Sequence, residues 1–377
     1  MAHSENTTLH LLRLLGIGFI AGMIYSWPLW FTDRTFPVVT VFSWLPPLSP
    51  PFDSLALGFL VVSLIVMIFK PFFKIIPITL FFLFVLLITD TMRWQPWVYQ
   101  YTLMLVVVGI YHFKESQKDS LNTLRIIMIA TYFYSGLTKV NPLFFEHAVT
   151  FFAPWLFTYT PVDFHRFLML LSYVIPFFEM ALAIGLLLPR LRHASVMLLI
   201  VMHLCIIVFL SLALRWNFII IPWNLVMIGL LWILFIKENP PKLSSMVLNR
   251  FRPVPIAVFI LVGIMPLLSF KGYWDKYLSF HLYSFTAENA IITFKENATL
   301  IQDFGWYAYT HELDGKRSLD VLHWSLMELN VPVYPERRVL VHVIEHICSD
   351  VGSEIEHIYI GKAYFEKETG EVYGCVE

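Results

Sequence analysis

The sequence has little charge and little cysteine for its length. Only 14% of its 377 residues are Asp, Glu, Lys or Arg, whereas 58% are hydrophobic, and an ordinary soluble domain is about 25% charged. A water-soluble globular protein and a disordered chain are therefore excluded. The formal net charge of −1 leaves no large basic surface for nucleic acid. Three cysteines without a CxxC pair argue against a disulfide scaffold or a thiol-relay motif, and we predict no metal site.

Long apolar runs are what the sequence does have. A membrane-spanning helix needs about 20 mostly apolar residues. The candidate runs lie at about 9–31, 54–71, 73–90, 97–113, 124–141, 164–188, 193–214, 217–236 and 253–271. We therefore predict a polytopic α-helical membrane protein in contact with the lipid bilayer, with about nine transmembrane helices forming a domain over residues 1–271.

Residues 272–377 have a different composition. They hold nearly half of the charged side chains of the chain, and no apolar run there is long enough to span a membrane. The β-branched run Ala290–Phe294 predicts a strand, Arg337–Cys348 predicts a helix, and Ile358–Phe365 with Glu371–Val376 predicts a hairpin. We predict a small extramembrane α+β domain, which is also the candidate docking surface for a protein partner.

The distribution of lysine and arginine in the loops predicts the orientation of the protein in the membrane. The even-numbered connections between the spans carry about twice as many of these residues as the odd-numbered ones, and the richer side is normally cytoplasmic. This places the N-terminus in the cytoplasm and residues 272–377 on the extracytoplasmic side. Cys348 and Cys375 both fall outside, where they could bond to each other. The aromatic segment 142–162 is expected to lie along the outer leaflet.

Lys139 is one of three ionisable side chains inside the apolar spans, where such groups usually face a cavity or the interior of a helix bundle. It ends the fifth span, and Tyr132 and Ser135 precede it by seven and four residues, on the same helical face. Gly136 in the same stretch allows another helix to approach closely. The alternative is a lysine whose long side chain reaches the outer membrane interface.

Glu179 and His203 are the other two ionisable side chains inside the apolar spans. Each lies twelve residues from Leu191, the middle of the predicted turn between the sixth and seventh spans. An antiparallel helical hairpin would place both side chains at the same depth. We predict that they pair and could hold or relay a proton; the alternative is a structural polar clasp. A lysine near such a pair would suit proton abstraction from a membrane-soluble phenol or quinol.

Two asparagines in the eighth span complete the set of candidates. Asn217 and Asn224 are seven residues apart, so a continuous helix would place them on one face. Pro222 between them would free a backbone carbonyl. These groups could bind the headgroup of a ligand, or they could form hydrogen bonds between helices.

A family resemblance follows from these residues. The stretch Tyr132–Lys139, Tyr-Phe-Tyr-Ser-Gly-Leu-Thr-Lys, resembles the Y-F-x-A/S-G-x-x-K stretch of vitamin K-dependent gamma-glutamyl carboxylases and HTTM-domain proteins. Phe178-Glu179 and Met202-His203 are similar to the glutamate and histidine helices of that family. The resemblance implies an enzyme that acts on a quinol- or lipid-like substrate such as vitamin K hydroquinone.

In that family a lysine of this stretch is the catalytic base. The resemblance therefore implies that Lys139 is the base and that Glu179 and His203 tune its basicity. The reduced quinone would be bound by the polar side chains around them, namely Tyr132, Ser135, Asn217 and Asn224. This chain departs from the family in two respects. The carboxylases have paired lysines where Thr138 precedes Lys139 here, and their outer region is much larger.

The same stretch, with the glutamate-bearing helix that ends in Leu-Leu-x-Pro-Arg, also resembles DoxX- and MauE-type membrane proteins. Those proteins are associated with quinone or thiol redox systems and are usually four-helix units. This second resemblance implies a non-catalytic membrane subunit of a redox or protein-docking complex. The lack of a CxxC pair weakens a thiol role.

Overall fold

The computed structural model describes residues 2–113, 117–152, 161–213, 217–238, 253–313, 315–362 and 371–375. Its helices before the C-terminal domain are α1 (Ala2–Tyr25), α2 (Phe52–Phe69), α3 (Ile75–Ile88), α4 (Pro96–Phe113), α5 (Gln117–Thr138), α6 (Pro142–Phe152), α7 (Val162–Leu187), α8 (Arg192–Ala213), α9 (Ile220–Leu231) and α10 (Pro253–Phe259). A π-helical turn, Trp232–Lys237, extends α9, and irregular helical turns extend α10 to Lys271. Each predicted apolar run therefore contains a helix.

Six helical segments of the described part are long and apolar enough to cross a membrane. They are Asn6–Tyr25, Phe52–Phe69, Phe164–Leu187, Arg192–Ser211, Ile220–Lys237 and Pro253–Lys271. The protein is therefore a multi-pass membrane protein in contact with lipid, whereas nine spans remain a prediction. Helix α3 has only 14 residues, and α4 and α5 carry polar side chains such as Gln100 and Arg125, which are buried between helices.

Close packing of α7 against α5 and α8 builds the region that holds the candidate site. A Cβ atom on Gly136 of α5 would lie 2.6 Å from the carbonyl oxygen of Pro176 on α7. A Cβ atom on Gly185 of α7 would lie 2.1 Å from Ser195 Oγ on α8. A side chain at position 136 would therefore prevent the backbones of α5 and α7 from coming so near. Helix α9 packs on the other side of α8, so the four helices can enclose a space.

The C-terminal domain contains an antiparallel sheet of strand order β2-β3-β1-β4-β5. The strands are β1 (Glu288–Phe294), β2 (His311–Leu313), β3 (Lys316–Asp320), β4 (Ile355–Lys362) and β5 (Glu371–Tyr373), and the helices α11 (Val321–Leu329) and α12 (Arg337–Val351) pack on β1. The predicted strand, helix and hairpin strands are confirmed; the predicted hairpin turn lies in residues 363–370, outside the described part. The Cys348–Cys375 disulfide is formed.

This domain sits on one end of the helix bundle. Glu328 of α11 accepts hydrogen bonds from the backbone N–H groups of Thr35 and Phe36 and from the Thr35 hydroxyl. Asn330 accepts from the Asn217 backbone N–H and donates to the carbonyl oxygen of Tyr25. The domain thus covers the bundle end at which α1 ends and α9 begins.

Of the predicted interfacial segment 142–162, the structure describes α6 and residues 161–162, while residues 153–160 lie outside the described part. Helix α6 packs against α7 and α8. Its buried residues Phe144 and Ala148 turn toward the space that these helices enclose. Its predicted position along the outer leaflet stays a prediction.

Candidate ligand-binding site

A cavity of about 540 Å³ lies between α5, α7, α8 and α9. Six of the seven predicted site residues line it: Tyr132, Ser135, Lys139, Glu179, His203 and Asn224. The rest of its wall is mostly apolar and includes Phe144, Leu168, Ile175, Phe178, Leu198, Val201, Ile206, Phe209, Leu210, Ile220 and Met227. The cavity is therefore mostly apolar and carries a small number of fixed polar groups, which is the usual composition of a small-molecule site.

The first polar group is an ion pair between Lys139 and Glu179. The Lys139 Nζ atom lies 2.7 Å from Glu179 Oε2, and the two side chains are only 8% and 7% exposed. Lys139 Nζ also donates to Ser135 Oγ at 2.7 Å and to the Ser135 carbonyl oxygen at 3.1 Å. The contact depends on Gly136, because it lets α7 approach until Glu179 reaches α5. All three ammonium hydrogens therefore have an acceptor.

The second polar group is a chain of hydrogen bonds centred on His203, whose partners carry no charge. Its Nδ1 lies 2.6 Å from Asn224 Oδ1, and its Nε2 lies 2.6 Å from the Tyr132 hydroxyl. Asn224 uses its Nδ2 to donate to the carbonyl oxygen of Ile220, so its Oδ1 is an acceptor. These partners place a proton on Nδ1 of His203, and when the ring is neutral its Nε2 accepts from the Tyr132 hydroxyl.

The predicted pair between Glu179 and His203 is wrong, although both side chains line the same cavity. Glu179 contacts Lys139 and Ser135, whereas His203 contacts Tyr132 and Asn224. The reason is that the two residues are not on an isolated hairpin. Helix α5 packs tightly against α7 and brings Lys139 and Ser135 to Glu179, while α9 and α5 provide Asn224 and Tyr132 as the partners of His203.

The prediction for Asn217 is also wrong in its geometry. Helix α9 begins at Ile220, and Asn217 precedes it in a left-handed conformation with a φ of 58°. It therefore does not share a helical face with Asn224. Its side-chain amide donates to the Tyr283 hydroxyl, and its backbone N–H donates to Asn330. Asn217 joins α9 to the C-terminal domain and lines a separate, smaller pocket of about 100 Å³.

Sequence reasoning missed a third polar group in the cavity wall. Trp223 Nε1 donates to Gln100 Oε1 at 3.0 Å, and Gln100 Nε2 donates to Thr131 Oγ1 at 3.1 Å. Trp223 and Thr131 line the cavity, and Gln100 is fully buried behind them. An amide in the middle of an apolar run is the signal that could have placed Gln100 inside the bundle.

The cavity reaches the apolar surface of the molecule between α7 and α8. Phe178, Leu198 and Val201 line it, yet they are 40%, 44% and 54% exposed. In a membrane protein such apolar side chains face lipid. A hydrophobic molecule could therefore enter the cavity sideways from the bilayer.

The chain is similar to one family model, described as methylamine utilisation protein MauE, over residues 117–222. These residues comprise α5 to α8 and the first turn of α9, and thus five of the six predicted site residues that line the cavity, Asn224 being the exception. They make up less than a third of the chain. No curated protein and no solved structure matches the chain. The match agrees with the MauE-type resemblance, whereas the resemblance to the carboxylases finds no support in it.

Proposed function

We propose that this protein is a membrane-embedded subunit of a redox-related system and that it binds a membrane-soluble, quinone-type ligand in the cavity between α5, α7, α8 and α9. The observation that carries the proposal is the position of the cavity. The cavity combines a buried ion pair with an apolar, lipid-facing entrance. Most of its wall belongs to the residues that are similar to MauE.

The size and composition of the cavity support a ring compound with an apolar substituent. Ligand sites commonly have volumes of about 300–1,000 Å³ and mostly apolar walls with few oriented polar groups. A volume of about 540 Å³ falls in this range. A ring could lie near Lys139 and His203, while an isoprenoid or alkyl tail extends past Val201 into the bilayer.

The C-terminal domain supports the subunit role. We propose that residues 272–377 form an extracytoplasmic domain that docks a protein partner. The Cys348–Cys375 disulfide supports this location, because disulfides persist in oxidising compartments. Purification from native membranes with a stoichiometric protein partner is the expected result, and purification alone from every detergent tested would contradict the docking role.

Extraction of bound lipids tests the ligand. The protein is purified in nanodiscs, extracted with organic solvent and analysed by mass spectrometry for quinone-type molecules. Val201→Trp fills the mouth of the cavity and should remove the ligand. Met197→Trp is the matched control, because Met197 lies one turn earlier on α8, is 53% exposed and does not line the cavity. Equal ligand content in the two variants, or no ligand in the unmodified protein, would contradict the proposal.

A second candidate function is an enzyme of the carboxylase type in which Lys139 is the base. The shared cavity of Lys139, Glu179 and His203 favours it. Against it stands the engagement of all three ammonium hydrogens of Lys139, since a base needs a lone pair directed at the substrate. The test is Lys139→Ala assayed with a quinol and labelled carbon dioxide. Turnover that is present in the unmodified protein and lost in this variant would support the enzyme.

A further inference from the structure

The donors that residues 131–139 present to the cavity are already in use. The three hydrogens of Lys139 go to Ser135 and Glu179. Among the hydroxyl groups, Thr131 donates to the carbonyl oxygen of Ile127, and the Tyr132 hydroxyl shares a hydrogen bond with His203 Nε2. To be held by this part of the wall, a ligand that can only accept hydrogen bonds, such as an ester or an ether, would have to displace one of these internal bonds.

The Ser135 hydroxyl is used in the same way. It accepts from Lys139 and lies 3.3 Å from Glu179 Oε2, to which it donates. The Asn224 amide is engaged at both ends, its oxygen by His203 and its nitrogen by Ile220. The ammonium group of Lys139 and the hydroxyl groups of Ser135 and Thr131 are therefore satisfied inside the protein, whereas Asn224 keeps one further N–H hydrogen.

One strong acceptor, in contrast, is open. Both contacts of the Glu179 carboxylate are made by Oε2, and Oε1 has no hydrogen-bond partner among the residues that the structure describes. Glu179 is buried and lines the cavity. A carboxylate oxygen in an apolar chamber is a strong acceptor, because charge-assisted hydrogen bonds are about twice as strong as neutral ones.

The charge of the cavity also restricts the ligand. Among the residues that the structure describes, Lys139 and Glu179 are the only Lys, Arg, Asp or Glu side chains in its wall, and they neutralise each other. His203 is buried and contacts only uncharged groups, and burial without an opposite charge favours the neutral imidazole. A charged headgroup would leave water without gaining an opposite charge, which is costly in an apolar environment.

From this inventory we propose that the ligand is a neutral, membrane-soluble molecule that carries a hydroxyl group, such as the reduced, quinol form of a quinone-type molecule, and that Glu179 Oε1 accepts the hydrogen bond of this hydroxyl. The inference rests on the proposed ligand-binding function and deepens it. It makes Glu179 the residue that selects a hydroxylated ligand over one that offers only acceptors, and it assigns Lys139 the role of holding the carboxylate in place.

Two probes of nearly equal shape test the inference. Radiolabelled 4-octylphenol and its methyl ether differ in the O–H group alone, and their binding to the protein in nanodiscs is measured after subtraction of binding to empty nanodiscs. The phenol should bind at least about tenfold more tightly than the ether, the size of effect expected for a hydrogen bond to a charged group.

Variants locate the acceptor. Glu179→Gln should reduce the preference for the phenol to about twofold to threefold. The double variant Lys139→Met/Glu179→Leu removes both charges without leaving an unpaired one, and it should bind both probes equally. Glu146→Gln makes the same change as the first variant at a carboxylate that is 64% exposed and outside the cavity wall, and it should keep the full preference.

The outcomes separate the two proposals. Equal binding of phenol and ether to the unmodified protein, or an undiminished preference in both Glu179 variants, overturns the role of Glu179 and leaves the cavity as a ligand site. No binding of either probe, with no effect of Val201→Trp on lipid content, overturns the ligand-binding function itself.

Discussion

At the scale of single residues, the Lys139–Glu179 ion pair is buried between α5 and α7. Removal of one member of a buried ion pair leaves an uncompensated charge, which typically costs about 3–5 kcal/mol, whereas replacement of both members by apolar residues is often neutral. We therefore expect Lys139→Met to lower the unfolding temperature strongly and Lys139→Met/Glu179→Leu to restore most of the loss. Thermal unfolding in detergent measures both.

The exposed pair Lys316–Glu356 on the C-terminal domain provides the comparison. Its side chains are 37% and 35% exposed, so water screens the interaction. Lys316→Met should leave the unfolding temperature nearly unchanged. If Lys139→Met were equally harmless, Lys139 and Glu179 would not form the ion pair that holds α5 to α7.

Gly136 is the residue on which that pair depends. A methyl group at this position would meet the Pro176 carbonyl oxygen at 2.6 Å and the Met180 side chain at 2.9 Å. Gly136→Ala should therefore push α7 away from α5 and destabilise the protein by about 1–3 kcal/mol, the usual cost of overpacking. It should also weaken ligand binding through the displaced Glu179.

Gly58 of α2 offers the matched control, since a Cβ atom there would meet nothing within 4 Å. Because alanine is a better helix former than glycine, Gly58→Ala should be neutral or stabilise the protein by up to about 1 kcal/mol. Comparable losses of stability at both positions would show that the close contact of α5 with α7 at Gly136 does not determine the outcome.

The sequence alone could identify most of the residues of the site but not their partners. Tyr132, Ser135 and Lys139 share a helical face, and helical periodicity suffices to predict that. The partner of Glu179 depends on which third helix packs against the α7–α8 hairpin. No local pattern contains this information, and it is decided by the contact at Gly136.

At the scale of secondary structure elements, apolar runs predicted the positions of the long helices well, and the errors lie at their ends. Helix α9 begins three residues later than its apolar run, because Asn217 adopts a left-handed conformation and hydrogen-bonds to the C-terminal domain. Strands β2 and β3 are short and rich in charge, so no alternating pattern marked them. They are strands because β1 pairs with β3, and β3 with β2.

The segment that connects α10 to β1 makes stability depend on pH. His281 in this segment is buried and lies 3.0 Å from Ser269 Oγ through its Nε2. Burial, and next the positive charge of Lys276, lower the pKa of His281 from 6.5 to about 3. Below pH 6.5 the unfolded chain binds a proton at this residue and the folded chain does not, so stability falls as the pH decreases from 6.5 toward 3 and is fully present above 6.5.

We expect the unfolding temperature of the protein to decrease between pH 7 and pH 4.5, and His281→Gln to make this decrease smaller. His342→Gln on the exposed side of α12 is the control for the loss of a histidine and should retain the original pH dependence. Identical pH profiles for the protein and His281→Gln would exclude His281 as the group responsible.

At the scale of the whole molecule, the arrangement of the C-terminal domain gives the predicted orientation a sharp test. The domain binds the bundle end that contains Tyr25, Thr35 and Asn217. Helix α2 begins at Phe52 after this end and runs away from it to Phe69, so Lys74 lies at the opposite end. A side chain of the domain and Lys74 should therefore be on different sides of the membrane.

Labelling of introduced cysteines with a membrane-impermeant maleimide measures this directly. In a Cys205→Ser background the other two cysteines are bonded to each other, so Lys316→Cys and Lys74→Cys each add a single reactive thiol at an exposed position. Because the loops rich in Lys and Arg are expected in the cytoplasm, intact cells should label Lys316→Cys, and Lys74→Cys should react only after the membrane is permeabilised. Labelling in the reverse order would invert the orientation and place the disulfide in a reducing compartment, whereas labelling of both thiols in intact cells would contradict an odd number of crossings between them.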